Sequence, residues 1–514
     1  MADLWTERLS RRRLLQWSAL GVATSALLTA CGGAAPTATA PPKPSAAPAA
    51  SGAAAPSSAA PSSAAPSQAA ASATPLAGAG IGGAQPTAVA TTTGTLKNPA
   101  TFGAPKTKAS GPTTLTFWHY AGFHVDVQKL IAAEYKKQHD QNVTLEVTAY
   151  PGLNEQRTAV KAALAAGSAT PDIIAVEPGA YCVDVYTSKG VTGMAETFKA
   201  DPEFQKGFWP NALSLLTVNG ETVSVPVVTN TVIVYYNKKL FEQNGVKVPE
   251  TLDELKKLGP VFNAKGIAPL AIAIGEDRNH PVFPLYTMAG GLKADKLLRE
   301  ADLGKAPWTS PDLLQAATLA EEVMRSDLII KGALGIKQQD AIGVFSTGKA
   351  AMLWAGQWLR TSIRGALPPD FEMGIFPFPE VKAGNGKPVL SSVGITLCVN
   401  AKSKNPPLAY EMIKALTGAW GKIEYSKALG ISPNGPISAE AVAYQMESLK
   451  DPLYPEFLKL QPTGTTRVLF TPQIEEALYQ GMQALIGGQK NAKQVMDDVE
   501  AASQKAGERK FTVG

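Results

Sequence analysis

Apolar and polar residues alternate along Thr114-Leu-Thr-Phe-Trp118, the pattern of a half-buried strand. Val127, Leu130, Ile131 and Tyr135 then fall on one helical face, and Lys136 and Lys137 stand at its end, where they complement the helix dipole. Val143–Thr148 alternates again, Asn154–Ala166 is an Ala-rich helix stopped by Gly167, and Pro171–Val176 is a short apolar strand. The order is βαβαβ. Strands separated by helices imply a parallel sheet with right-handed crossovers and a ligand crevice at the carboxyl ends of the strands. Those ends are Trp118–Gly122 and Glu177–Tyr181.

A different pattern begins at Pro226. Thr229–Tyr236 is β-branched and aromatic throughout, which predicts a strand buried on both faces, and Asn237 opens a short helical turn after it. Thr251-Leu-Asp-Glu254 has the spacing of a capping box, so a second helix starts there. Ile267–Ile274 reads as another buried strand, Glu276–Pro281 as a polar loop and Phe283–Ala289 as a helix. Ser310-Pro-Asp312 starts a long helix with Pro at its first position. Phe371–Pro379 and Ser391–Asn400 are the next strands, Asn405-Pro-Pro opens a helix ending near Gly418, and Thr471-Pro starts one with Ile474, Leu478, Met482 and Leu485 on its apolar side.

Composition changes this picture mainly at the N-terminus. The first 30 residues read as an export signal: Ser10-Arg11-Arg12-Arg13-Leu-Leu-Gln16 looks like a twin-arginine motif, with general secretion as the other route, and Leu14–Ala30 is weakly apolar. Leu28-Thr-Ala-Cys31 matches the bacterial lipobox, which implies cleavage before Cys31, lipid on its thiol and attachment to the membrane. An uncleaved membrane helix is the competing reading, but Gln16 and several Ser, Thr and Gly residues make a poor span. Residues 31–112, almost entirely Ala, Pro, Ser, Thr and Gly, cannot bury enough surface to offset chain entropy and are expected to form a disordered tether. The 514 residues exceed one core, and the net charge of +5 is spread along the chain without the basic stripe that follows nucleic acid. Cys182 and Cys398 lie far apart in apolar settings and read as buried free thiols, a disulfide being the alternative. Neither metal-site spacing nor a cofactor motif is visible, so no metal and no cofactor are expected.

Four segments then occur in a specific order: Gly348-Lys-Ala-Ala-Met352 with Gly356-Gln-Trp358, Met373-Gly-Ile-Phe-Pro-Phe-Pro379, Ser391-Ser-Val-Gly-Ile395, and Ala409-Tyr-Glu-Met-Ile-Lys-Ala-Leu416. With the strand at 229–236, this set resembles the extracellular solute-binding proteins of the maltose-binding type (family 1). The resemblance implies an α/β, two-lobed periplasmic-binding-protein-like fold (type II), each lobe a mostly parallel sheet flanked by helices, with hinge strands between. It implies crossings at 229–236, near Gly394–Leu397 and near Gly430–Asn434. The first lobe would hold 113–228 and 397–432, and the second 229–396 and 433–514. It further implies an extracytoplasmic, lipid-anchored monomer that captures a small polar ligand, a sugar or oligosaccharide, and delivers it to the membrane subunits of an ABC importer.

An enzyme is the competing class. Gly343–Lys349 follows the phosphate-loop pattern until Ala350 stands where a Ser or Thr would hold Mg²⁺, and it is better explained as a helix end running into a strand. There is no Gly-x-Ser-x-Gly and no His-Glu-x-x-His, and Glu177 with Asp277 could only be imagined as a glycosidase pair. A binding cleft needs flat aromatic faces and directed hydrogen-bonding groups. Trp118, Tyr181, Trp354 and Trp358 are the stacking candidates, with core burial as the competing reading for each Trp. Gln357 is a polar partner beside Trp358, Gly122 lies at a strand end, and Glu177 and Asn230 are further polar candidates. The resemblance adds the loop with Asp277, Arg278 and His280, of which Arg278 could meet a carboxylate or phosphate. The alternatives to a carbohydrate receptor are a secreted lipoprotein hydrolase, a receptor for an anion such as a sugar phosphate, and an adhesive surface protein.

Overall fold

The computed structural model describes residues 97–167, 170–275, 280–460 and 469–513. Arg11, Arg12, Cys31 and most of the expected tether lie outside the described residues, as do Asp277 and Arg278.

Strands β1 (Thr113–His119), β2 (Val143–Ala149) and β3 (Ile173–Val176) are joined by helices α1 (Val125–Gln138) and α2 (Leu153–Ala166), the βαβαβ order expected. β1 runs parallel to both β2 and β3. Helix α3 (Ala180–Thr187), β4 (Val191–Thr192), the hairpin of β5 (Thr217–Val218) and β6 (Glu221–Thr222), and β7 (Val225–Pro226) follow. The chain then enters β8 (Val228–Asn237), β9 (Ala268–Ile272), β10 (Ala350–Gly356), β11 (Met373–Phe376) and β12 (Leu390–Val393), and returns through β13 (Thr396–Asn400) and the short β14 (Ser432–Pro433). Two sheets result: β2-β1-β3-β13-β4 with β7 on β13, and β11-β8-β10-β9 with β12 and β14 on β8.

The unbroken apolar run of β8 has a geometric cause. Val232 and Val234 point into one core with Phe262, Leu270 and Trp308, while Ile233 and Tyr235 point into another with Phe345, Leu353 and Phe457. A strand covered on both faces has no polar side to show. Parallel pairing holds for β2-β1-β3 and for β9-β10. It fails around β8, which is antiparallel to β10, β11, β12 and β14, and around β13, which is antiparallel to β3, β4 and β7, because each of these strands enters from the other lobe rather than through a helical crossover within its own sheet. Helix α4 (Leu252–Asn263) carries the predicted capping box, Thr251 Oγ1 accepting from Glu254 N. Helix α5 (Phe283–Gly291), apolar but for Thr287, is buried on every side, as so apolar a helix must be, and helix α6 (Pro311–Met324) starts with the predicted Pro at its first position.

The expected boundaries need three corrections. Residues 97–112 are not wholly tether. Asn98 Nδ2 donates to Trp420 O (3.1 Å) and Glu424 Oε1 (2.9 Å), and Lys106 N and Ala109 N donate to the carboxylates of Glu411 and Asp140. Phe102 is buried against Tyr135, His139 and Trp420. Secondly, the chain does not continue into the second lobe after β14, which pairs only with the first residues of β8. It turns back along β8, the Asn434 amide donates to Pro226 O and Thr417 O, and helix α9 (Ala439–Leu449) packs on α8 (Ala419–Leu429) of the first lobe, α7 (Pro406–Thr417) preceding both. The chain crosses later, where Asp451 meets the second-lobe Arg360 (3.2 Å) and Arg364 (3.1 Å), and α10 (Tyr454–Leu460) sends Phe457 into the core beside Tyr235. Thirdly, helices α11 (Pro472–Ile486) and α12 (Ala492–Ala506) belong to the second lobe, but the tail beyond them returns: Asn219 N donates to Thr512 O at 2.9 Å and Val513 bridges to Val218.

Cys182 and Cys398 are buried free thiols, and burial raises the pKa of both.

Candidate functional site

The chain leaves β3 through Glu177-Pro178-Gly179, and Gly179 adopts φ 96° and ψ −135°, a conformation that an L side chain would strain. That turn aims Glu177 at the second lobe. Facing it are Val282, Phe283 and Tyr286 around the start of α5, and Glu475 and Tyr479 one turn apart on α11. Ser392 and Val393 of β12 and Leu469 complete the wall of a cavity of about 20 Å³, room for a single water.

Charge at this junction is organised by Arg157 of α2. Its Nη2 lies 3.3 Å from Glu177 Oε2 on its own lobe, and its Nη1 lies 3.8 Å from Glu475 Oε2 across the junction. The guanidinium sits 4.7 Å over the Tyr181 ring. Tyr181 Oη donates to Gln156 Oε1 (3.0 Å), and the buried Gln156 Nε2 donates to Ala175 O (2.9 Å), which fixes α2 against β3. On the opposite side Tyr479 Oη donates to Glu475 Oε1 (3.1 Å). Burial first, and the Glu475 carboxylate second, hold the Tyr479 phenol well above its usual range.

An aromatic patch adjoins the cavity. His280 Nδ1 pairs with Ala273 O at 2.8 Å, a carbonyl partner that requires the proton on Nδ1. Its ring stacks on Trp358 (6.1 Å, 29°) and lies 5.0 Å from Phe283, whose ring meets Trp358 edge to face (6.2 Å, 70°). Trp358 folds back over Gly356, where a Cβ would come within 1.9 Å of its ring.

Two lobes, each a sheet between helices, thus close on a junction that holds, among the described residues, aromatic rings, two carboxylates and one guanidinium. Residues 123–422, more than half of the chain, match the family described as bacterial extracellular solute-binding protein. The chain belongs to that family. The solute-binding protein is 28% identical over 337 residues to the multiple sugar-binding protein of Streptococcus mutans, an alignment covering 63% of this chain and 75% of that one. It is 26% identical over 207 residues to the diacetylchitobiose binding protein of Streptomyces coelicolor, covering 38% and 42%. Among solved structures, a chitin oligosaccharide binding protein superposes with a TM-score of 0.65 at 20% identity, over 77% of this chain and 99% of that chain. A maltose-bound T. maritima protein gives 0.64 at 18% identity, over 76% and 99%. These two likenesses are of fold.

The sequence-predicted residues of this solute-binding protein divide into three groups. Glu177 lines the cavity, Tyr181 lies behind it as the platform under Arg157, and Trp358 and His280 form the adjoining aromatic patch. Trp118, half-buried, packs edge to face on Tyr150 at 5.4 Å, and Gly122 is exposed at the turn after β1. Asn230 sits on β8 opposite Ser392, in the hinge. Asp277 and Arg278 lie outside the described residues, and the other two are corrections. Trp354 is 2% exposed, with its ring 4.7 Å from Phe378, because its position in β10 points it into the second-lobe core. Gln357 is fully buried in the hinge, its Nε2 donating to Thr229 O and its Oε1 accepting from Ser432 Oγ (3.1 Å), so it ties β8 to β14. His119 is likewise structural: Nδ1 accepts from Ala121 N (2.8 Å), and burial lowers its pKa to about 3, keeping it neutral.

Arg157, Phe283, Tyr286, Glu475 and Tyr479 were missed. A Glu and a Tyr four residues apart beside the apolar stripe of α11 were the one available signal for the last two. No helix among the described residues is long and apolar enough to cross a membrane, and no group of three or more metal-ligating side chains among them could hold an ion.

Proposed function

We propose that this solute-binding protein captures a carbohydrate, a sugar or oligosaccharide, between its lobes and passes it as a monomer to the membrane subunits of an ABC importer. A lipid on Cys31 holds it at the extracytoplasmic face of the membrane. The observation that carries the ligand class is the pairing of aromatic faces at Trp358, Phe283 and Tyr286 with the carboxylate of Glu177. Sugar rings offer apolar C–H faces to the former and hydroxyl donors to the latter. The names of the relatives from Streptococcus mutans and Streptomyces coelicolor support the same class. Glycoside hydrolysis is disfavoured because the two carboxylates of the cavity wall, Glu177 and Glu475, share Arg157 as counter-ion, an environment that does not separate a general acid from a base.

The test is a thermal-shift screen of the full chain against neutral mono- and oligosaccharides, sugar phosphates and amino acids. A ligand at a hundredfold excess over Kd stabilises by about 2.7 kcal/mol. Over roughly 400 folded residues that is about 3 °C. A shift with neutral carbohydrates that Phe283→Ala removes is expected; a response confined to another class overturns the carbohydrate assignment. For the anchor, Cys31→Ala is expected to abolish lipid labelling, and unchanged membrane retention would overturn it.

A further inference from the structure

We propose that Arg157 and Glu475 form an interlobe latch that competes with ligand entry, positioning residues that set affinity by holding the lobes together. The inference rests on the carbohydrate-receptor reading only for its last experimental arm. Three contacts converge on one side of the junction. Arg157, held in place on the first lobe by Glu177 and the Tyr181 ring, reaches Glu475 on α11, which Tyr479 orients from the second. Two residues before α11, Phe470 is buried in the first-lobe core among Val176, Tyr181, Cys182 and Cys398. Next to it, Leu469 O accepts the Ala180 N–H at 2.8 Å, a backbone bond from this segment to the first turn of α3.

The segment is itself anchored to the second lobe. The Asp302 carboxylate accepts from Phe470 N (2.6 Å) and Thr471 N (3.2 Å), and Thr471 Oγ1 donates back to Asp302 O (2.9 Å). A separation of the lobes at this edge therefore has to withdraw Phe470 or break its anchor, part the Ala180–Leu469 bond and release Glu475 from Arg157. With these contacts made, the cavity between Glu177 and Tyr479 is about 20 Å³, whereas pockets for small molecules run to several hundred. This cavity does not admit a sugar ring while the latch is closed, so the latch lowers apparent affinity by the fraction of molecules that it holds shut. A residue that merely contacted ligand would do the opposite when removed.

Hydrogen exchange on the full chain reads the latch without any ligand. Glu475→Gln and Arg157→Gln are expected to accelerate exchange at Ala180 by about tenfold, with β1 and β8 amides unchanged. Added 0.5 M NaCl acts in the same direction on wild type because the pair is partly exposed. Arg157→Lys, which keeps the charge, restores most of the protection. Unchanged exchange at Ala180 in both Gln variants overturns the latch, and equal acceleration throughout the chain reassigns the pair to general stability and overturns it too. Maltotriose and chitobiose then serve as probes. Tighter binding by Glu475→Gln, about three- to tenfold, supports the latch, and weaker binding with unchanged exchange makes Glu475 a ligand contact instead. Faster exchange at Ala180 with neither sugar bound upholds the latch while counting against the carbohydrate class.

Discussion

Lys422 lies on α8 with its side chain buried and its Nζ donating to Gly207 O, 5.7 Å above the Phe208 ring. Among the described residues no carboxylate forms an ion pair with it, and burial lowers its pKa from 10.5 to about 8. In the unfolded chain the amine keeps its usual value. Below pH 8 both states are protonated and folding bears the full desolvation penalty. Between about 8 and 10.5 the folded state releases its proton first, so stability rises with pH. The difference of about 2.5 units is worth roughly 3 kcal/mol. Replacement by Met removes this rise, while the loss of a donor to the Gly207 carbonyl shifts stability by about 1–3 kcal/mol independently of pH. The stability of Lys422→Met relative to wild type should therefore fall by about 3 kcal/mol between pH 7 and 10.5. For roughly 400 folded residues that is a change of about 4 °C in the difference between melting temperatures. Denaturant titrations and melting curves at four or five pH values measure it directly, and parallel pH profiles for the two proteins would refute the reasoning.

Three further outcomes are expected. Gln357→Leu leaves the Thr229 carbonyl and the Ser432 hydroxyl buried without their partner and should cost about 2–4 kcal/mol in urea unfolding; lost carbohydrate binding at an unchanged midpoint would return Gln357 to the ligand site. Gly394→Ala places a Cβ 2.8 Å from both Asn230 Nδ2 and Val228 Cγ2 between β8 and β12, for an expected loss of about 1–3 kcal/mol, and a neutral substitution would show that the hinge is loosely packed. Phe102→Ala should release residues 97–112 from the first lobe, seen as faster tryptic cleavage at Lys106 and Lys108 with little change in the main unfolding transition, whereas unchanged cleavage would mean that the hydrogen bonds alone hold the segment.

Elements with a strong local signature were legible in the sequence. The predicted 229–236 strand is β8, the capping box at Thr251 caps α4, and the first sheet starts with the expected βαβαβ order. Phe102 was not legible, since a lone aromatic in an Ala- and Pro-rich stretch carries no period, and its burial depends on Tyr135 and Trp420 from distant helices. The difference in role between Trp354 and Trp358 is also tertiary in origin. Each stands two residues from Gly356, but Trp354 is still within β10 and points into the core, whereas Trp358 follows the strand and turns back over Gly356. The same holds for Arg157 and Glu475, more than 300 residues apart: helical spacing places each on a face but cannot say that the faces meet.

The place of β13 in the first sheet bears on how the chain folds. This strand sits between β3 and β4, and Thr396 pairs with Val176, a partner more than 200 residues earlier. Until β13 has been made and delivered, Ile173–Val176 presents an open, wholly apolar strand edge, the kind of surface that recruits strands from other chains. Contacts of such sequence separation also slow the search for the native topology. Chains truncated before Thr396 should therefore aggregate through β3 rather than fold to a stable first lobe, and refolding of the intact protein should be limited by the arrival of a five-residue strand.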